Sequence, residues 1–398
     1  MTFRRRRVPG STTRAGGTMH VIISGCRRAP RRRALATFLA ALVLGACADG
    51  PDRPQPEAPG TVNVYNWPDY IDPAVLARFS AETGVTVNYD TFDSAEALEA
   101  KLAAGRTGFD VVVATASTIE RQLRAGTYRP LDRARLSQLG NLDPDLVARL
   151  AAADPGNAHS VPYHWGTAGI GYDAKQVLAR MPDAPVDSFA LLFDPAIARR
   201  FQDCGIVLVD APMDAVGSVL LYLGKDPNSE NADDLAAVER VLMAIRPYVR
   251  YVNTPPILSD LATGEACVAL TWSGDALRAR TRAQEAATGA DVRYTVPREG
   301  AVMFFDLLMV PADAPHPENA HRFIDFLMRA DVAAQLGSKL QYANANAASW
   351  PLYDPALRED PAIFPGPELR SRLVVDREES REFRRLVTRM WTRFKTGT

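Results

Sequence analysis

The run from Asp110 to Ala114, with three consecutive valines, narrows most what this chain can fold into. A continuous apolar segment of strand length has no polar face to show to water, so it fits a strand covered on both sides in a parallel α/β sheet. Its surroundings agree. Upstream, Val62, Val64 and Tyr65 are good strand formers, and the strand stops where Trp67 meets Pro68, because proline removes a ladder donor and biases its neighbour. Asp72-Pro73 opens a helix with Val75, Leu76 and Phe79 on one face, and Gly84 ends it. Val85 to Tyr89 reads as a second strand, and Ser94 caps a helix over 96–104 that Gly105 stops. After Ala114 come the hydroxyl-bearing loop Thr115-Ala116-Ser117 and a helix over 119–124. Three strands alternating with helices imply a doubly wound parallel sheet whose loops converge at one edge, the edge where such sheets bind ligands.

The extended, glycine-rich passage 157–172 is long enough to cross from one lobe to another. A second α/β set follows: a strand over 206–209 running into Asp210-Ala211-Pro212-Met213-Asp214, helices over 215–223 and 232–245, and a strand over 268–272. Val292 to Val296 is expected to be the return crossing, with 300–310 and a helix over 320–329 rejoining the first lobe. The chain beyond its leader exceeds what one compact core of about 250–300 residues holds. The expectation is therefore an α/β protein of two lobes joined by a two-strand hinge: lobe 1 is 61–163 with 296–350, and lobe 2 is 164–295 with 351–398.

Residues 1–46 contain ten arginines and no acid, and end in the apolar run Ala34 to Ala46. That is a signal peptide, too short to span a bilayer. Its end, Leu44-Gly45-Ala46-Cys47, resembles the lipobox of bacterial lipoproteins, which makes Cys47 a candidate for lipidation; ordinary secretory cleavage near Ala46 is the alternative, and Met19 is a second candidate start. Both routes export the protein. Residues 47–60 read as a proline-rich tether. Removing the leader leaves 36 basic against 47 acidic residues, a net charge of −11 that repels nucleic acid and favours cationic partners. In an oxidising compartment Cys204 and Cys267 remain to pair with each other. Their bridge would close a loop of 64 residues counting both ends, worth about 4 kcal/mol in the chain-entropy model. Two buried free thiols are the alternative.

The loop after the first strand carries Trp67, Asp69 and Tyr70, residue types that suit an organic cation, since the rings offer negative π-faces and Asp69 a full charge. Taken alone, it also fits a turn packed by its own aromatics. Further segments follow in order: Tyr89-Asp90 with Phe92-Asp93-Ser94, Gly169-Ile170-Gly171-Tyr172, Tyr222-Leu223-Gly224-Lys225-Asp226-Pro227-Asn228-Ser229, Trp272 with Gly274-Asp275, Phe304-Phe305-Asp306, and Tyr342-Ala343-Asn344-Ala345-Asn346. Together with Tyr65-Asn66-Trp67 and Asp69-Tyr70, they resemble the periplasmic polyamine-binding proteins of ABC transporters, the putrescine type most of all.

That resemblance implies a type II solute-binding fold, two α/β lobes that close over the ligand, and a set of binding residues. Trp67, Asp69 and Tyr70 match the family's first loop, and Thr115 stands where it has a serine. Asp214 replaces a glutamate and is one methylene shorter; Trp272 and Asp275 match Trp-x-x-Asp, Phe304 and Asp306 match Phe-x-Asp, and Tyr342 matches the late tyrosine. Pro68 replaces a serine and removes a hydroxyl. The implied ligand is putrescine, with spermidine or another diamine as the alternative, delivered to ABC permease subunits by a periplasmic monomer without cofactor or metal.

The residue chemistry agrees with this set. A diamine is an apolar chain with a charge at each end, so it needs aromatic walls between anionic poles. Trp67, Trp272, Phe304 and Tyr342 can supply walls worth about 0.5–2 kcal/mol per cation–π contact, and Asp69, Asp214, Asp275 and Asp306 can supply poles. Each aspartate taken alone is equally well a cap or turn acid, but Asp306 inside Phe305-Asp306-Leu307-Leu308 is expensive without a partner. Paired carboxylates also fit a glycosidase. The chain is nevertheless expected not to be an enzyme, because no Ser-His-Asp order stands out and His20, His159, His164, His316 and His321 lack metal-ligand spacing. A tethered polyamine sensor is the third reading.

Overall fold

The computed structural model describes residues 60–397. The expected signal peptide, Cys47 and all of the tether except Gly60 lie outside the described residues. Among the described residues, eleven strands form one mixed sheet: β1 Thr61–Asn66, β2 Thr86–Thr91, β3 Val111–Thr115, β4 Ser160–Asp173, β5 Ile206–Leu208, β6 Val249–Val252, β7 Val268–Trp272, β8 Val292–Thr295, β9 Ala301–Met309, β10 Ala343–Asn344 and β11 Leu373–Val375. Its main path runs β2-β1-β3-β9-β4-β7-β5-β6.

The valine run behaves as its composition demands. Val111 and Val113 pack into a cluster with Phe79 and Phe323, while Val112 and Ala114 pack into one with Trp165 and Phe305. Alternate side chains thus enter opposite layers, and all four residues are fully buried. A third cluster fills the β7-β5-β6 side and takes in Phe383, Val387, Met390, Trp391 and Phe394 of the final helix, Arg381–Thr396. Ala362, Ile363 and Leu373 instead pack with Trp165 and Phe305, so the segment 351–398 contributes to both sides.

Two long antiparallel strands join the two sides. Along one edge β4 pairs first with β9 (residues 160–168) and then with β8 (170–173); along the other it meets β10 and then β7. The far edge of β9 changes partner in the same way, from β11 to β3. β9 is therefore the strand that returns to the first side, while the passage expected to return, 292–296, is β8 and pairs only with β4. The physical reason is length: β8 has four residues and lies against the end of β4, whereas nine residues let β9 reach both neighbours. The glycine content of β4 reflects crowding, since a Cβ at Gly166 would sit 2.7 Å from the Phe304 ring.

Two helices begin earlier than their patterns suggest. One spans Ala116–Arg124, so Thr115 is its cap residue, and the other spans Pro212–Tyr222, placing Asp214 in its first turn. Cys204 and Cys267 form a disulfide just ahead of the parallel neighbours β5 and β7, where Ile206 faces Val268. Among the described residues, no helix is long and apolar enough to cross a membrane.

Candidate functional site

The sequence-predicted residues gather around three carboxylates. Asp306 sits mid-strand in β9, opposite Thr115 of β3 and His164 of β4. Its Oδ2 accepts from the Tyr70 hydroxyl at 2.8 Å and its Oδ1 from Thr115 Oγ1 at 3.4 Å. Thr115 can make this bond because its hydroxyl does not cap the helix it precedes. Burial pushes the Asp306 carboxyl up to about 6, opposed by Tyr70, Trp67 and Thr115. The Trp67 indole N–H is close enough to act on Asp306 yet makes no hydrogen bond of normal geometry, and it is buried.

The second carboxylate, Asp214, accepts from Trp272 Nε1 at 3.0 Å, and burial raises it to about 6 as well. The third, Asp275, accepts at one oxygen from both Tyr342 Oη (3.1 Å) and Arg278 Nη2 (2.8 Å). Asp214 and Asp275 are each the third residue of a helix that follows a parallel strand, where helix N-termini favour negative charge. Gly274 lets the Tyr342 ring lie against the start of this second helix, since a Cβ there would sit 2.3 Å from the ring.

Edge-to-face ring contacts connect the three acids. Tyr70 meets Tyr342 at 5.7 Å, Tyr342 meets Phe304 at 5.9 Å, and Phe304 meets Trp272 at 6.4 Å between centroids. Trp67 stands at the end of the array, tilted against Phe92 at 4.4 Å. Asp69 is exposed, holds a positive φ of 53°, and makes no hydrogen bond among the described residues. That backbone is uncommon outside glycine but tolerated by aspartate, and it turns the loop between Trp67 and Tyr70. Asn66 braces the loop by accepting from Trp67 N (2.7 Å) and donating to Tyr70 O (3.3 Å).

Sequence reasoning missed two charged neighbours. Arg278 follows Asp275 by one helical turn and pairs with it. Asp376 follows β11, whose Val375 is in register with Met303, so it lies beside Phe304. Its carboxyl is pushed up to about 8 by burial, then by Asp214 and Glu379, against a hydrogen bond from Ser117. Asp376 ends the apolar strand Leu373-Val374-Val375 but is followed by Arg377-Glu378-Glu379, so it lacks the apolar residues on both sides that marked Asp306. His164, packed against the Tyr163 ring at 4.0 Å, is held neutral by burial, its pKa lowered to about 3. The site thus offers an aromatic wall lined by acids, several of which burial keeps ready to ionise beside a cation.

The model of the family described as bacterial extracellular solute-binding protein matches residues 74–365. The putrescine-binding periplasmic protein PotF of Escherichia coli is 44% identical over 339 residues, 85% of this chain and 92% of that protein. The putrescine-binding periplasmic protein SpuD of Pseudomonas aeruginosa is 43% identical over 337 residues, 84% and 92% of the two chains. The crystal structure of the spermidine/putrescine ABC transporter substrate-binding protein PotD from Streptococcus pneumoniae superposes with a TM-score of 0.74 at 26% identity, covering 85% of this chain and 99% of that one.

Proposed function

The chain belongs to the bacterial extracellular solute-binding proteins, and from that premise we propose that it captures putrescine between its two lobes and hands it to an ABC permease. The fold is the two-lobed α/β arrangement of type II members, with β4 and β9 as the hinge strands. The observation that carries the ligand reading is the unbroken ring array from Tyr70 through Tyr342 and Phe304 to Trp272, with Asp306 at one end and Asp214 at the other. A flexible dication lays its methylenes on the rings and places an ammonium at each acid. The binding set is then Trp67, Asp69, Tyr70, Thr115, Asp214, Trp272, Asp275, Phe304, Asp306 and Tyr342, with Asp376 beside it.

Polyamine-binding relatives at over 40% identity along most of the chain support this reading, and their names place them in the periplasm. Binding and release, with no chemical step, is the activity it requires. We further propose that the protein acts as a monomer and that Cys47 anchors it to the membrane by a lipid. In this reading the lobes are 61–163 with 296–350 and 164–295 with 351–398; the core position of the final helix supports the second lobe for 381–396 alone, since Ala362, Ile363 and Leu373 pack with Trp165 and Phe305. Calorimetry with putrescine, cadaverine, agmatine and spermidine tests the assignment: putrescine should bind tightest, and absence of heat with all four would overturn it.

A further inference from the structure

We propose that Arg278 is a built-in counter-cation that sets how many ammonium groups the site accepts, favouring a diamine over a triamine. The inference rests on the polyamine reading above. Arg278 Nη2 holds Asp275 at 2.8 Å, with the two side chains only 28% and 19% exposed. The guanidinium is poorly served otherwise, since its Nε is buried without a hydrogen-bond partner. A purely structural arginine would be expected to have more of its donors satisfied.

Its position gives it another use. It pairs directly with Asp275, and the charge of Asp69 also acts on it, so its own charge offsets two acids of the proposed binding set. A guanidinium does not lose its proton in a protein, so this compensation is permanent. Asp306 and Asp214 stand at the ends of the ring array and suffice for the two charges of a diamine. A third ammonium that turned to Asp275 or Asp69 would meet Arg278 and, at Asp275, share a carboxylate already paired, which leaves Asp376 as the acid of the site not offset by this guanidinium. Like-charge placement in a partly desolvated site costs far more than in water, so the penalty falls selectively on the trication.

The test compares putrescine and spermidine affinities by calorimetry at low ionic strength, in wild type and in Arg278→Gln, Arg278→Met and Arg278→Lys, with thermal melting of each. The two uncharged variants should shift the affinity ratio toward spermidine by at least tenfold, and Arg278→Lys should stay near wild type. Having both Gln and Met keeps the test decisive if one of them folds poorly. Wild type that binds putrescine while the uncharged variants keep its ratio overturns this inference alone. Wild type that binds neither amine overturns the polyamine reading, and this inference with it.

Discussion

A single buried carboxylate shows how much of the site one residue can announce. Asp306 was legible because an acid inside an apolar strand demands a partner; that the partner is Tyr70, 236 residues away, was not, because only folding makes them neighbours. Arg278 was missed for the opposite reason, since an arginine one turn after an acid is ordinary on any exposed helix. Removing one member of a buried charge pair typically costs about 2–5 kcal/mol, so Asp306→Asn should weaken putrescine binding by at least about thirtyfold in calorimetry, at about 1.4 kcal/mol per tenfold. Acidity supplies a second prediction. With Asp306 and Asp214 raised to about 6, protonation competes with a cationic ligand, so affinity should climb as pH rises through about 6, with protons released on binding below that point. In the ligand-free protein the sign reverses. A raised carboxyl favours the fold below its unfolded value near 4, and that stabilisation, up to about 3 kcal/mol for Asp306, is lost as pH rises through about 6. Asp306→Asn should make both profiles shallower and leave the part carried by Asp214, measured by calorimetry and by melting across pH 4–8.

At the scale of elements, strand and helix order was readable from periodicity, while pairing was not. Both 292–296 and 300–310 look like crossing strands in sequence, and only the ladder shows that β9 crosses and β8 does not. Helix starts were read late because Ala116 and Pro212 extend each helix back to its strand, which brings Asp214 into a first turn. The disulfide ties β5 to β7 at the ends opposite Asp214 and Trp272. Its loss should lower the melting temperature by an amount matching about 2–5 kcal/mol and leave putrescine affinity within about twofold. Cys204→Ser with Cys267→Ser, melted and titrated side by side with wild type, checks this; a tenfold loss of affinity would tie the bridge to the cleft.

For the whole molecule, the acids come from separate parts of the chain: Asp306 on a strand shared by both sides, Asp214 and Asp275 on helices beyond it. One ligand touching all three favours whichever lobe arrangement brings them together. Saturating putrescine should therefore reduce the radius of gyration in small-angle scattering, and an unchanged profile would argue against closure. Two lobes could be foreseen from length and alternation, but not that a single sheet runs through both, because the residues that pair across it are distant in sequence.

The place of β9 also dictates an order of events in time. It lies between β3 and β4, yet it is made almost 190 residues after β3. Whatever emerges first from a ribosome or an export channel cannot complete its own sheet until residue 309 has followed, while the β5-β6-β7 part is already whole. The chain thus carries its own delay, written in topology instead of in a chaperone's grip. Truncation after residue 295 should leave 61–163 open to protease, and protection of that segment in the truncated chain would show that the delay does not exist.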